Sequence, residues 1–409
     1  MMEWGIVLQR LQSSPAQTRN YVLLLAVVFV GYLIFGISEN MKGPALPRMQ
    51  ADFRLEEWQL GLLLAFNSLG FLLACSFAGG IVEKIGLRAA CLLTFGFMAA
   101  SGWLIGSAPG FVPFAGAFFF FYVWNGLLEI ALAVLSARLF TKNTGFMMNL
   151  SHFFYGLSST GAPLAATAVM GASLGGGELG WRGMYTVLLL TCALPMLPAL
   201  LAKFPKESEA AASSEKTTWR SFARDKVAWC VVVLLACGVT AELGVGGWLV
   251  NYLEKSYAWD TVRASGLLSA FFLCFTVSRL VFGPLTDRFG FVRSVIVFAG
   301  FSGVCTCLGL WLGEPGAFLL ALAGAGIGPV YPTVMAFLSK RYPHGTDAAI
   351  TFTVTAIGIL GIVGNFLIGA ATDAFGYQAG YALLGVSALL CAAAGLLLYR
   401  WLRQEGKVI

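Results

Sequence analysis

The sequence has little charge and few polar stretches. Only 11% of its 409 residues are charged, whereas 58% are hydrophobic, so an ordinary soluble domain would expose too much apolar surface to water. No phosphate-binding loop, catalytic triad or cluster of metal ligands is found along the chain. The scarcity of charge excludes a soluble globular domain. Because the catalytic and ligand-binding motifs are missing, we expect neither an enzyme nor a bound cofactor.

The nine cysteines give no sign of a metal site. All of them fall in segments that we predict to lie in a membrane, where we expect them to pack as small apolar side chains. Cys305 and Cys307 are two residues apart, but they lack the spacing and the additional Cys or His ligands of a zinc site.

Long apolar segments are abundant. Ala89–Leu128 contains no charged residue and is long enough to cross a bilayer twice, since one crossing needs about 20 apolar residues. The turn residues Ser107–Gly110 divide it into a hairpin. Reading charges and helix breakers in this way predicts twelve spans, which start near Tyr21, Trp58, Ala89, Phe111, Gly145, Gly183, Val227, Ala264, Ser294, Gly316, Ala348 and Gln378. The first span has no cleavable signal before it, and we expect it to remain in the bilayer.

Lys and Arg predict the orientation. With the N-terminus inside, 19 of the 26 Lys and Arg residues lie on the cytoplasmic side, while Lys42, Arg48, Arg54 and three others lie outside. This excess predicts a multi-pass protein of the plasma (inner) membrane with both termini in the cytoplasm. The net charge of +6 is then an orientation signal and does not indicate nucleic-acid binding.

Two copies of one loop lie about 200 residues apart, in Gly79–Arg88 and Gly283–Arg293. Each has the pattern Gly-x-x-x-acid-base-x-Gly followed by Arg, and each joins two apolar segments. This pattern resembles the signature loop of the major facilitator superfamily, which implies an all-α fold of twelve transmembrane helices in two pseudo-symmetric six-helix halves. We predict a cytoplasmic gate that opens and closes during transport, formed by Gly79, Glu83, Lys84, Gly86, Arg88, Arg279, Gly283, Asp287, Arg288 and Gly290.

A second pair of similar segments supports duplication. Leu179–Tyr185 in the fifth-to-sixth connection parallels Phe375–Tyr381 in the eleventh-to-twelfth. We therefore predict a first bundle over residues 1–202, a cytoplasmic linker over 203–226 and a second bundle over 227–409. Parallel halves place a substrate site between them near the middle of the membrane.

Three acids lie inside predicted spans: Glu39, Glu129 and Glu242. Each costs roughly 2.5 to 3.5 kcal/mol or more in the bilayer, which favours a functional role. Glu129 follows Asn125 on one helix face, and His152 in the next span lies at a similar depth, so a Glu129 to His152 pair is geometrically allowed. We predict that Glu129, Glu39 and His152 take part in proton coupling, with a structural hydrogen bond between helices as the alternative.

The seventh span combines Glu242 with glycines and with Trp248 and Asn251. Aromatic faces and polar edges of this kind bind sugars, although Trp248 also fits an aromatic belt at the outer interface. We predict that the substrate contacts Glu242, Trp248, Asn251, Asn125, Asn149, Asn67, Tyr331 and Asn365.

Short pieces of the chain resemble, within the superfamily, the fucose/galactose/glucose:proton symporters. They include Gly126–Glu129, Leu150–Gly156 and Gly328–Pro332. The resemblance implies that Glu129 matches the fourth-helix acid of that family, whereas Gly43 stands where its first-helix acid is expected and Ala131–Val134 replaces an Asn-Pro.

The resulting prediction is a secondary active transporter, acting as a monomer in the bilayer, that couples a proton to uptake of a sugar or related small polar solute. The alternative is a proton-driven efflux antiporter for drugs or metabolites, because Gly156–Pro163 partly resembles the antiporter motif. A transporter-like receptor would need a signalling extension, which the short predicted linker and tails do not provide.

Overall fold

A computed structural model describes residues 15–140, 144–174, 177–205, 222, 224–342, 346–404 and 406. Within these ranges the chain forms twelve long helical segments, which we number as spans. They are span 1 (Pro15–Asn40 and Lys42–Phe53), span 2 (Glu57–Ile85), span 3 (Leu87–Gly106), span 4 (Phe111–Leu139), span 5 (Thr144–Met170), span 6 (Gly180–Leu190, Thr191–Ala193 and Met196–Leu201), span 7 (Lys226–Tyr257), span 8 (Thr261–Phe289), span 9 (Phe291–Leu312), span 10 (Glu314–Gly316, Ala317–Ile327 and Val330–Arg341), span 11 (Thr346–Phe375) and span 12 (Tyr377–Gln404). A short hairpin of β1 (Ser173–Leu174) and β2 (Gly177–Glu178) precedes span 6.

The helical segments agree with the predicted spans. Eleven of them are long and apolar enough to cross a membrane, and span 5, with 27 residues, has the length of its neighbours. Every predicted start lies within about six residues of a helix start. The all-α class with twelve spans is therefore confirmed, because charge-free runs of this length have no other stable form in a bilayer. We call the end that carries the loops after spans 2 and 8 the inner end, and the opposite end the outer end.

Glycines with positive φ mark the same turns in both halves. Gly86 and Gly290, which follow spans 2 and 8, have φ values of 82° and 86°. Gly180, the first residue of span 6, and Gly376, just before span 12, have φ values of 58° and 88°. Since residues with a Cβ rarely adopt this conformation, both pairs of similar sequence segments correspond to structurally equivalent turns.

Three span pairs form most of the contact between the halves in the described residues: span 2 with span 11, span 5 with span 8, and the outer part of span 1 with span 7. Small residues permit the close approach. A Cβ added to Gly369 would lie 2.5 Å from the carbonyl oxygen of Glu57, and one added to Gly156 would lie 2.5 Å from Oγ1 of Thr276. Close backbone contact of this kind is typical of helix packing in membranes.

One sequence expectation about span 1 is wrong. Lys42 was expected in an outer loop, but span 1 is interrupted only at Met41, and Lys42 begins its second helix as a buried residue. The partner that allows its burial is Glu39, three residues earlier, with which it forms an ion pair. Most of the predicted linker, residues 206–221 and 223, lies outside the described residues, so the domain boundaries remain a prediction.

Candidate functional site

Five ionisable or polar side chains from five spans face one another between the halves. Span 4 contributes Glu129, span 5 His152, span 7 Glu242, span 8 Arg279 and span 10 Tyr331. We call these residues the central cluster. They come from both halves and lie about two turns or more from either end of their spans, as expected for a site near the middle of the membrane.

Arg279 and Glu242 form the only ion pair that the described residues show within the central cluster. Nη2 of Arg279 lies 3.6 Å from Oε1 of Glu242, which is too long for a hydrogen bond. Nε of Arg279 donates to the carbonyl oxygen of Gly328 at 2.8 Å, and the guanidinium lies 4.1 Å from the ring centroid of Phe275. The side chains of Arg279 and Glu242 are 22% and 14% exposed, so both remain accessible from the space between the halves.

Glu129 is half-buried on the other side of this space. It interacts electrostatically with Tyr32, Cys75 and Tyr331, and the described residues provide it with no hydrogen bond or ion pair. A carboxyl group without a cation inside a membrane protein is most stable when it holds a proton. Glu129 is therefore an acid at the space between the halves that has no counter-ion among the described residues.

His152 does not contact Glu129, although both residues lie next to Tyr32. Its ring packs on Tyr32 with centroids 5.3 Å apart, and its charge interaction is with Arg279 of the other half. The side chain is exposed even though span 5 packs against spans 1 and 8, so it lines the space between the halves. A direct Glu129 to His152 pair is not formed in this structure.

The third intramembrane acid, Glu39, has a partner from the first half at each of its two carboxylate oxygens. Oε1 pairs with Lys42, and Oε2 accepts a hydrogen bond of 3.0 Å from Nδ2 of Asn125. Oδ1 of Asn125 in turn accepts from the Ser38 hydroxyl at 3.0 Å, and Lys42 lies over the Tyr122 ring at 5.2 Å. Asn125 thus holds Glu39 in place, and both groups are buried.

Among the described residues, hydrogen bonds centred on Arg48 and on Glu57 link the two halves at the outer end. Nη1 of Arg48 in span 1 donates to both carboxylate oxygens of Glu254 at 2.5 and 2.6 Å, and Nη2 donates to Thr261. Glu57, at the start of span 2, accepts from Nδ2 of Asn251 at 3.1 Å and from the Tyr377 hydroxyl at 2.8 Å. We call these six residues the outer seam.

The structure places Asn251 and Trp248 in or beside the outer seam, and Asn67 and Asn365 about ten residues from the outer ends of spans 2 and 11. Asn251 belongs to it, and Trp248, one turn earlier, is 3% exposed. Asn67 is 2% exposed and, among the described residues, neither of its amide atoms has a hydrogen-bond partner. Nδ2 of Asn365 donates to Ser68 of the other half at 3.3 Å. Asn251 and Asn365 are thus paired across the junction of the halves, Trp248 and Asn67 are buried, and Tyr331 lies in the central cluster.

Arginines of both predicted gate loops form hydrogen bonds within their own half of the chain. Arg88 donates to the carbonyl oxygen of Leu200 at the end of span 6, and Arg293 donates to the Tyr399 hydroxyl of span 12 at 2.7 Å. Lys84 and Arg288 are exposed. The side chains of Glu83, Asp287 and Asn149 and the glycines at 79 and 283 lie outside the described residues. Arg279 lies in the central cluster next to Glu242, two turns of helix from the gate loop to which sequence reasoning assigned it.

Sequence reasoning missed three charged residues of these networks: Lys42, Arg48 and Glu57. Lys42 could have been found from its spacing of three residues to Glu39, which places both on one helix face. Arg48 and Glu57 pair with residues about 200 or more positions away, and no local pattern indicates such partners. Within the described ranges no group of His, Cys, Asp or Glu is arranged to hold a metal ion.

Comparisons with known proteins agree with this architecture. The family model of the Major Facilitator Superfamily matches residues 28–345 and 246–408. The Protein TsgA homolog of Erwinia tasmaniensis is 22% identical, over 92% of this chain and 96% of its own length. The L-fucose-proton symporter of Escherichia coli is 23% identical, with 89% and 90% covered. The gentisate transporter of Corynebacterium glutamicum is also 23% identical, with 90% and 86% covered.

Solved structures show the same fold. A variant of the E. coli fucose:proton symporter aligns with a TM-score of 0.65 at 18% identity, covering 93% of this chain and 99% of the other. A D-xylose-proton symporter aligns with a TM-score of 0.74 at 14% identity, covering 93% and 97%.

Proposed function

Since this chain belongs to the major facilitator superfamily, and is therefore a multi-pass membrane transporter and not an enzyme, we propose that it takes up a small polar solute together with a proton. The proposed solute is a sugar or a closely related compound. The observation that carries the proposal is the central cluster, where an unpaired acid, a loosely held ion pair and a tyrosine meet between the two halves. Ionisable groups inside a membrane protein cost free energy and are typical of substrate and proton pathways.

In this proposal Glu129 carries the coupling proton, because it faces the space between the halves without a cation beside it. His152 and Glu39 are the further candidates for coupling. His152 lines the same space, whereas Glu39 is held by Lys42 and Asn125 and would have to leave these partners to exchange a proton.

The substrate would bind between Glu129 and the Arg279–Glu242 pair, with Tyr331 beside both acids. Asn125, Asn149, Asn67 and Asn365 remain candidates for further contacts. Trp248 and Asn251 are buried at the outer seam, so we propose that they contact substrate only after the outer end opens.

Alternating access provides the transport step. The outer seam closes one end, and breaking it would let the halves separate there while the inner end closes. The gate loops at the inner end would regulate this exchange, and we propose that this end and both termini lie in the cytoplasm.

The test is uptake into proteoliposomes. Purified protein is reconstituted, and accumulation of labelled L-fucose, D-galactose, D-glucose and D-xylose is followed with and without an imposed inward proton gradient. Gradient-dependent accumulation that a proton ionophore abolishes supports the proposal.

A failed uptake result has a defined follow-up. In a second assay the vesicles are loaded with candidate drugs or metabolites. If none of the sugars accumulates, and these compounds leave the vesicles while protons enter, the chain is an antiporter. That outcome would overturn the proposed uptake and favour the efflux alternative.

A further inference from the structure

Arg279 lies further from its glutamate partner than the other paired arginines of the described residues do. Another arginine–glutamate pair of the chain, Arg48 and Glu254, has nitrogen-to-oxygen distances of 2.5 and 2.6 Å. In the central cluster the corresponding distance is 3.6 Å. Arg48 and Glu254 therefore form an ion pair with hydrogen bonds, whereas Arg279 and Glu242 attract each other electrostatically without a hydrogen bond.

The donors of Arg279 are only partly used. Nε is bound to the carbonyl oxygen of Gly328, and the guanidinium plane rests on Phe275, so the side chain is oriented from two sides. Among the described residues, its two terminal nitrogens have no hydrogen-bond acceptor. An oriented guanidinium with free parallel donors matches the geometry of a carboxylate.

Charge balance points to the same ligand. Glu39 is neutralised by Lys42, and Glu242 is the anion beside Arg279. An arriving carboxylate would replace Glu242 as the partner of Arg279. It would leave Glu242 as an uncompensated anion, which takes up one proton because charge in the membrane interior is costly. One anion and one proton enter together, and the net charge of the site does not change.

We propose that Arg279 binds the carboxylate of the substrate, and that the transported solute is a small hydroxylated acid, such as a sugar acid, rather than a neutral sugar. Glu242 acts as a built-in competitor for Arg279 and as a proton acceptor. Among the described residues, the titratable groups that face Glu242 are Arg279 from span 8, Tyr155 from span 5 and Tyr331 from span 10. Tyr331 also interacts with Glu129, so it lies between the two acids and can relay a proton from one to the other. This inference rests on the proposed function and names its substrate class.

The direction of the effect distinguishes competition from direct binding. If Glu242 competes with the substrate, Glu242→Gln should bind an acid at least as tightly as the wild type, because the internal anion is gone. If Glu242 instead accepts hydroxyl protons of a neutral sugar, the same substitution should weaken binding. Acid binding to the wild type should also tighten as the pH falls, since protonation of Glu242 frees Arg279, and Glu242→Gln should remove this dependence.

The experiment compares matched acids and neutral compounds: D-gluconate with D-glucose, L-fuconate with L-fucose, and 4-hydroxybenzoate with 4-hydroxybenzyl alcohol. Binding is measured by calorimetry on purified full-length protein, and uptake is measured in proteoliposomes with a proton gradient. We expect at least one acid to bind and accumulate while its neutral partner does not. Arg279→Gln should weaken acid binding at least tenfold. Arg279→Lys should weaken it less, because lysine keeps the positive charge but lacks the two parallel donors of a guanidinium.

The matched control is Arg263→Gln, in the same span, whose side chain is 57% exposed and pairs with Glu314 at the outer surface. This variant should bind and transport like the wild type. Gradient-driven uptake of neutral sugars with exclusion of the acids would overturn the inference and leave the proposed function intact. Acid binding that is unchanged in Arg279→Gln, or weakened tenfold in Glu242→Gln, would also overturn it. If neither class binds or accumulates, both the inference and the proposed function fail.

Discussion

The outer seam gives the most quantitative prediction, and Glu57 is the residue to change. Its carboxylate is buried and accepts three hydrogen bonds, from Gln50 at 2.6 Å, Tyr377 at 2.8 Å and Asn251 at 3.1 Å. Tyr377 and Asn251 belong to the second half of the chain. Glu57→Ala removes both of these links and leaves the helix itself intact, because alanine is a good helix former.

The size of the effect follows from the number of links. A hydrogen bond to a charged group contributes about 1.5 to 3 kcal/mol, so two of them stabilise the closed outer end by about 3 kcal/mol or more. Every 1.4 kcal/mol changes an equilibrium constant tenfold. We therefore expect Glu57→Ala to shift the equilibrium toward an open outer end by about a hundredfold.

Hydrogen–deuterium exchange with mass spectrometry measures this shift without an attached fluorescent or spin label. Peptides from the outer parts of spans 1 and 7, covering residues 42–53 and 248–257, should exchange faster in Glu57→Ala than in the wild type. Peptides from span 9, which lies within the second half, should exchange at the same rate. Equal exchange in all of these peptides would refute the reasoning, because the seam would then not hold the outer end closed.

The control is Asp52→Ala, a few residues away. Oδ2 of Asp52 accepts a hydrogen bond of 2.7 Å from Nε1 of Trp181, and both residues belong to the first half. This variant loses a hydrogen bond of similar length without loosening the junction of the halves. Faster exchange of residues 248–257 in Asp52→Ala would mean that the effect of Glu57→Ala is general destabilisation.

Three further predictions concern the other acids. Glu129→Gln should abolish gradient-driven accumulation while retaining substrate exchange, since an amide keeps the shape but cannot carry the proton; accumulation equal to that of the wild type would contradict its coupling role. Lys42→Met should lower stability by about 3 kcal/mol by leaving Glu39 buried without its cation, and adding Glu39→Gln should recover much of the loss, as judged from thermal unfolding in detergent; a single variant as stable as the double variant would argue against the pair. Glu83→Gln and Asp287→Asn should change the transport rate more than substrate affinity, because both lie in the predicted gate loops; a large loss of affinity at an unchanged rate, measured by calorimetry and uptake, would disprove this role.

The location of the spans could be predicted because the signal is local. A run of about 20 apolar residues has one stable form in a bilayer, and charged residues mark its ends. The equivalent turns at Gly86 and Gly290 were also visible in the sequence, since positive φ values favour glycine and the loop pattern is repeated. These features depend only on neighbouring residues, and the structure agrees with them.

The sequence also indicated which polar residues were unusual. Glu39, Glu129 and Glu242 stand out because a charge inside a span is rare, whatever its partner. Lys42 was misplaced because the prolines and glycine that follow it resemble a loop. Its true environment depends on Glu39 and Asn125, and Asn125 is 86 residues from Glu39 in the chain.

Tertiary structure alone decided how the charges pair. Arg279 lies eight residues before Asp287 in sequence, which suggested the gate, but the packing of span 8 beside spans 7 and 10 places it with Glu242 and Gly328. The sequence identifies Asn251 as a candidate substrate contact, but only the approach of span 2 reveals its hydrogen-bond partner in this structure, Glu57. Hydropathy determines which segments enter the membrane, whereas the partner of each buried charge depends on how separate helices pack, and that information is distributed over the whole chain.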